Sequence, residues 1–228
     1  MAVYQFYAEL EDYKPKMWRR FLVDSDITIA RIGYTVMAMY EMEASHLLVI
    51  EHERTLLTPS GRRSKRTERI DRYSIPDEDD DFFRDMDEDA TKTKLSDLDL
   101  SNPHRLLVWY DMGDDWRVIV TLEEVLASSP EHELPHVIKG KGFGIVEDCG
   151  GVYGLGELAE AFKTKQGDEY ERFKEWLGVD DLDLSAFDID DINLRVKKLP
   201  DIYAKIYEGN HMPTDGEIEF IERGYIKR

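Results

Sequence analysis

The chain has one cysteine, Cys149, among 228 residues, so no internal disulfide can form. Positive charge is also scarce. Thirty basic residues face 49 acidic ones, giving a formal net charge of −19. A surface of that sign repels phosphate backbones, which excludes sequence-independent duplex binding unless one face is locally basic. No apolar run approaches the roughly 20 residues of a membrane-spanning helix. The first residues, Met1 to Gln5, lack the basic and apolar regions of a secretory signal, so a soluble cytosolic protein is expected. Catalytic signatures are missing too. There is no G-x-S-x-G nucleophile turn, no phosphate loop ending in G-K-[ST], no dinucleotide fingerprint around the glycines of 140–156, and no calcium loop around the aspartates of 180–191.

What is present suffices for a core. Hydrophobic residues make up 42% and aromatics 11% of the chain, too much for a disordered acidic tail. Apolar alternation predicts strands at 4–10, 18–23, 45–51, 104–110, 116–122 and 134–139. Ile29, Ile32, Val36, Met37 and Tyr40 recur every three or four residues behind the capping candidates Asp24, Ser25 and Asp26, which predicts a helix ending near Met42. Further helices are expected at 155–165, at 168–177, at 188–199 with a stop at Pro200, at 202–207 and at 215–223. The expectation is a single α+β domain, 1–228, with a mixed, mainly antiparallel curved sheet and packed helices. Its sheet-rich core spans 1–150 with a charged insertion at 53–103, and a helical part spans 151–228.

Two sets of residues carry candidate chemistry. His132-Glu133-Leu134-Pro135-His136 matches the H-E-x-x-H zinc-protease spacing, but Pro135 breaks the helix that the motif needs. Thiolate and imidazole together remain a zinc-type ligand set, so His132, His136, His46 and Cys149 are candidates for a structural zinc, with His52 and Asp148 eligible. Asp114, Asp115, Glu147 and Asp148 would form a carboxylate site if the 111–115 hairpin met the Gly150-Gly151 turn. The second set is charge. A basic block from Arg54 to Arg72 is followed by Asp77, Glu78, Asp79, Asp80 and Asp81, and a later acidic run holds Asp180, Asp181 and Asp183. These acidic runs are candidate docking faces for a basic partner.

Five segments occur in a characteristic order: Pro15-Lys16-Met17-Trp18-Arg19-Arg20, Ser45-His46-Leu47, Tyr110-Asp111-Met112-Gly113-Asp114-Asp115-Trp116, Glu147-Asp148-Cys149-Gly150-Gly151 and Glu175-Trp176-Leu177-Gly178. In them the chain, from about Tyr4 to Leu199, resembles the Ri-plasmid open-reading-frame-three-like family, whose members include the passenger protein of an insertion element. The resemblance implies an α+β fold and little chemistry. Many members carry further cysteines ahead of the Glu147-Asp148-Cys149 segment, in a metal-binding arrangement. Here Val137 to Gly144 has none, which leaves Cys149 and the nearby histidines as the substitute. The resemblance places the chain on plasmids, insertion elements or phages. In that context, a surface of net charge −19 can compete for the Lys- and Arg-lined channel of a nuclease, so the leading expectation is a non-enzymatic inhibitor of a basic, nucleic-acid-handling host protein, of the anti-CRISPR kind that blocks loading of a Cas nuclease such as Cas9. The alternative is a metal-dependent hydrolase or nuclease that uses carboxylates and a histidine.

Overall fold

Alternating burial builds the sheet. In β1 (Val3–Leu10), Val3, Phe6, Ala8 and Leu10 are buried. The two consecutive half-buried residues, Tyr4 and Gln5, sit at the bulge where the register with a neighbouring strand shifts. The computed structural model describes residues 2–57, 63–76, 87–101, 104–127 and 131–222. Its remaining strands are β2 (Trp18–Asp24), β3 (Leu48–Leu57), β4 (Arg63–Ser74), β5 (Glu88–Asp89), β6 (Arg105–Tyr110), β7 (Trp116–Leu126) and β8 (His136–Lys141). They form one open sheet in the order β5-β4-β3-β6-β7-β1-β2-β8. Every neighbouring pair is antiparallel except the short β4–β5 pairing. The α+β expectation holds.

Among the described residues there are five α-helices: α1 (Ile29–Met39), α2 (Gly151–Thr164), α3 (Asp168–Leu177), α4 (Ile189–Gly209) and α5 (Asp215–Ile221). All of α1 except Arg31 is buried, because it lies between β3 on one side and α4 on the other. Its cap is Thr28, whose hydroxyl accepts from the Arg31 amide at 3.2 Å; Asp24 instead accepts from the Asp26 amide within the preceding turn.

Two expectations are corrected. Helix α4 does not stop at Pro200 but runs through it to Gly209 and ends at Asn210 in the left-handed region. Proline removes one helical hydrogen bond. Here Pro200 is buried in a row with Val196, Leu199 and Tyr203, all at 0–1% exposure apart from Pro200 itself, so packing offsets the loss. The second concerns the expected charged insertion at 53–103, whose described residues join the sheet and the core. β3 pairs with β4 from Val49↔Ser74 to Leu57↔Arg63, and Tyr73, Ala90, Leu95 and Leu100 are buried in the main cluster. The charged residues that suggested a solvated excursion pair across strands, as Arg72 does with Glu51 at 3.3 Å and Arg54 with Asp71.

Near the other edge of the sheet, Arg19 on β2 is fully buried. Its five N–H groups reach five carbonyl oxygens, those of Met39, Trp18, Lys141, Gly142 and Phe143, at 2.7–3.3 Å. The rings of Tyr40 and Phe187 lie 5.0 Å from its guanidinium carbon. Lysine has a compact ammonium that cannot span this fork. Arg19→Lys is therefore expected to cost about 3 kcal/mol or more, read in urea unfolding as a lower midpoint with an unchanged slope.

Candidate functional site

Three loops bring one histidine and two carboxylates together. His46 follows α1, Asp111 begins the connection from β6 to β7, and Glu147 lies between β8 and α2. His46 Nε2 is 3.3 Å from Glu147 Oε2 and 3.7 Å from Asp111 Oδ2. Donor atoms of the three side chains all lie within 4.8 Å of one another, and among the described residues they form the one cluster of three metal-ligating side chains. Asp148 adds an exposed carboxylate 3.9 Å from the same nitrogen.

Each carboxylate is fixed through one oxygen and presents the other. Asp111 sits in the left-handed region, at φ 52°, and its Oδ1 accepts from the Gly113 amide at 2.9 Å. That turn leaves Oδ2 facing His46. Glu147 Oε1 accepts from the Glu43 amide at 2.8 Å, while Oε2 is buried and makes no hydrogen bond of good geometry. The residue is only 7% exposed, so an oxygen left this way is costly unless something else occupies its lone pairs. None of the three His46 contacts has hydrogen-bond geometry either; the imidazole faces the space between the carboxylates.

The surroundings hold this arrangement in place. The hydroxyl of Tyr207 donates to the His46 carbonyl at 2.6 Å, and the Ser45 amide donates to the Tyr110 hydroxyl at 3.2 Å. The 147–151 turn docks on the hairpin, where the Gly150 amide donates to Asp114 Oδ2 at 3.2 Å. A Cβ at Gly154 would lie 1.7 Å from the Cys149 carbonyl oxygen, so α2 packs onto this turn without room for any side chain.

Burial raises the pKa of Glu147, and the Glu43 amide offsets part of that rise. Glu43 is pushed to about 7 by burial and by the charge of Glu147. Burial and Glu147 likewise raise Tyr110, which keeps its proton.

Of the residues singled out in the sequence, His46 lies in this cluster. Cys149, His132 and His136 do not belong to a group of three donors among the described residues. The Cys149 thiol points at the Gly151 carbonyl, 3.7 Å away, and burial followed by the Asp114 charge pushes it to about 12, so it is protonated at neutral pH. His132 and His136 stack with ring centroids 4.0 Å apart, and burial followed by His132 lowers the pKa of His136. The hairpin and the Gly150-Gly151 turn do meet, as the carboxylate reading required. Glu147 is in the centre, Asp148 stands at its edge, Asp114 holds the turn, and Asp115 pairs with Arg117 at 2.8 Å. The residue that sequence reasoning missed is Asp111, whose signal was its place at the start of a Gly- and Asp-rich turn.

Asp77, Glu78, Asp79, Asp80 and Asp81 lie outside the described residues. Asp180 pairs with Lys174 at 2.7 Å, Asp181 pairs with Lys165 at 3.1 Å, and Asp183 accepts from the Ser185 amide at 3.0 Å.

The family profile described as plasmid pRiA4b ORF-3-like protein matches residues 2–195. The chain belongs to this family. Among solved structures, it is similar to a protein of unknown function, MM3350, from Methanosarcina mazei Go1, at 30% identity and a TM-score of 0.68; the match covers 83% of this chain and 97% of that one. No curated protein matches. No helix among the described residues is long and apolar enough to cross a membrane.

Since folding moves Glu43 from an ordinary carboxyl value to about 7, its ionisation opposes folding. That cost is complete above pH 7, fades as the pH falls through 7, and is absent below the ordinary carboxyl range. Glu43→Gln should raise the Tm by a few degrees at about pH 8 and leave it unchanged near pH 4, in melting curves of both proteins.

Proposed function

We propose that His46, Asp111 and Glu147 hold a divalent cation and that the protein is a metal-dependent hydrolase of the carboxylate–histidine type. The observation that supports this reading is the buried Glu147 Oε2, without a hydrogen bond and 3.3 Å from His46 Nε2. Metal–ligand bonds of about 2.0–2.2 Å at tetrahedral or octahedral angles separate their donor atoms by roughly 3.0–3.4 Å. The spacing between His46 and Glu147 has that size without any movement, and Asp111 Oδ2 at 3.7 Å needs only a small shift. One imidazole and two carboxylates, with no thiolate, suit zinc or manganese.

Three protein ligands leave coordination positions open, and His46 is 33% exposed, so the open side faces solvent. A cation there supplies Lewis-acid activation of water. The chain's own residues supply the remaining parts. The Glu43 amide orients Glu147, and the Gly113 amide orients Asp111.

The reading as an anti-CRISPR inhibitor of a basic, nucleic-acid-binding host protein draws on the net charge of −19 and on the mobile-element character of the family. The described part of its docking face, Asp180, Asp181 and Asp183, is engaged in local pairs and turns, which lowers its power to draw in a basic surface. It therefore stands second.

Titration with manganese or zinc in a calorimeter tests the first reading. The wild type should bind one equivalent, and Glu147→Gln and Asp111→Asn should each weaken binding at least tenfold while keeping a cooperative melt. Hydrolysis of a panel of ester, amide and phosphodiester substrates should be abolished by chelator. Equal affinity in the wild type and in both variants would refute the ligand set, and binding without any chelator-sensitive turnover would leave a structural metal.

A further inference from the structure

A cavity of about 590 Å³ lies on a different part of the molecule, between α2, the turn from β1 to β2, and the 181–185 loop. That volume is in the range of sites for small organic ligands. Tyr13, Met17, Phe162, Leu182 and Leu184 give it an apolar floor, and each is at most 6% exposed. Lys14, Lys16, Lys141 and Lys163 surround it, an unusual density of cations in a chain of net charge −19.

The pairing of these charges is uneven. Lys16 bonds Glu9 at 2.7 Å and Lys163 bonds Glu160 at 2.9 Å. The lining acids are engaged as well: Glu160 with Lys163, Asp181 with Lys165 at 3.1 Å, and Asp183 with the Ser185 amide and hydroxyl at 3.0 and 2.5 Å. Neither Lys14 nor Lys141 forms a salt bridge among the described residues; Lys14 acts on Glu9 only through space, and both lysines line the apolar hollow.

Gly156 supplies an independent sign that this space is kept open. It is in the interior of α2 and lines the cavity, where glycine costs about 1 kcal/mol relative to alanine. Gly154, two residues earlier and so on the opposite side of the helix, is needed because a Cβ would strike the Cys149 carbonyl. Gly156 has no such reason. A Cβ there meets nothing within 4 Å, its backbone is ordinary helix, and Ala159, also small, follows it along the same wall. A second hollow sharing Tyr13, Lys14, Gly156 and Glu160 continues the space toward Tyr153, which is 78% exposed.

We propose that this cavity binds a small organic anion with an apolar body, its chain or ring on the Tyr13, Met17, Phe162 floor beside Gly156 and its acidic head between Lys14 and Lys141. The site is separate from His46, Asp111 and Glu147, and its occupation requires no metal.

Octanoate, octan-1-ol and octyltrimethylammonium share one apolar body and differ in head charge, so calorimetric titration with the three separates floor from rim. Octanoate should bind the full chain at least tenfold more tightly than either of the others. Gly156→Leu, which fills the open space with a better helix former, should reduce octanoate affinity at least tenfold with the Tm unchanged or raised. Replacing Lys14 and Lys141 together by glutamine should remove the preference for octanoate over octan-1-ol while leaving octan-1-ol bound. Chelator and Glu147→Gln should change none of these values, so the outcome is independent of the metal reading. Equal binding of anion and cation, or a Gly156→Leu protein that binds octanoate as the wild type does, would overturn the proposal.

Discussion

A guanidinium cut off from water must place all five N–H groups on acceptors or pay a large desolvation penalty. Arg19 places its five on carbonyls from the end of α1, from its own strand, and from the segment that leaves β8. The geometry of that segment follows. Phe143 then donates to the Leu184 carbonyl and Ile145 to the Tyr40 carbonyl, and two residues later the chain delivers Glu147 beside His46. The buried Arg195 does similar work just past the end of α1, pairing with Glu41 at 3.1 Å and holding the carbonyls of Phe220 and Ile221. Two buried cations thus frame the end of α1, and the loops that follow it carry the acidic centre.

That centre is electrostatically unfavourable as it stands. Asp111, Glu147 and Asp148 crowd one imidazole, and burial raises both Glu43 and Glu147, helped by the charge of Glu147 at the first and of Asp111 at the second. Folds tolerate such a concentration where a counter-ion or a reaction uses it. Fixing one oxygen of each ligand on a backbone amide and leaving the other free is an economical way to orient ligands before a cation arrives, because the amides prevent the carboxylates from turning away.

The sheet was largely legible because its strands alternate in the ordinary way: β1, β2, β6 and β7 were placed to within a few residues from apolar period alone. Of the charged hairpin β3–β4 only the first residues of β3 were, since Glu51, Arg54, Asp71 and Arg72 pair across the strands and hide the alternation behind charge. Pro200 was misread for a complementary reason: its local preference was clear, but tertiary burial against α1 overrode it. Within the site, His46 and Glu147 could be named as residue types, and the meeting of the hairpin with the Gly150-Gly151 turn could be posed as a condition. Their convergence could not be read, because His46, Asp111 and Glu147 are far apart in the chain and are joined only by the closure of three loops. Cys149 drew notice as the lone thiol, yet its burial near Asp114 keeps it protonated.

Crystals soaked in manganese and measured by anomalous scattering locate the cation without reference to activity. The structure predicts a single strong peak within about 2.0–2.3 Å of His46 Nε2, Asp111 Oδ2 and Glu147 Oε2. A peak at His132 and His136 or at Cys149 in place of this position, or none at saturating manganese, would contradict it.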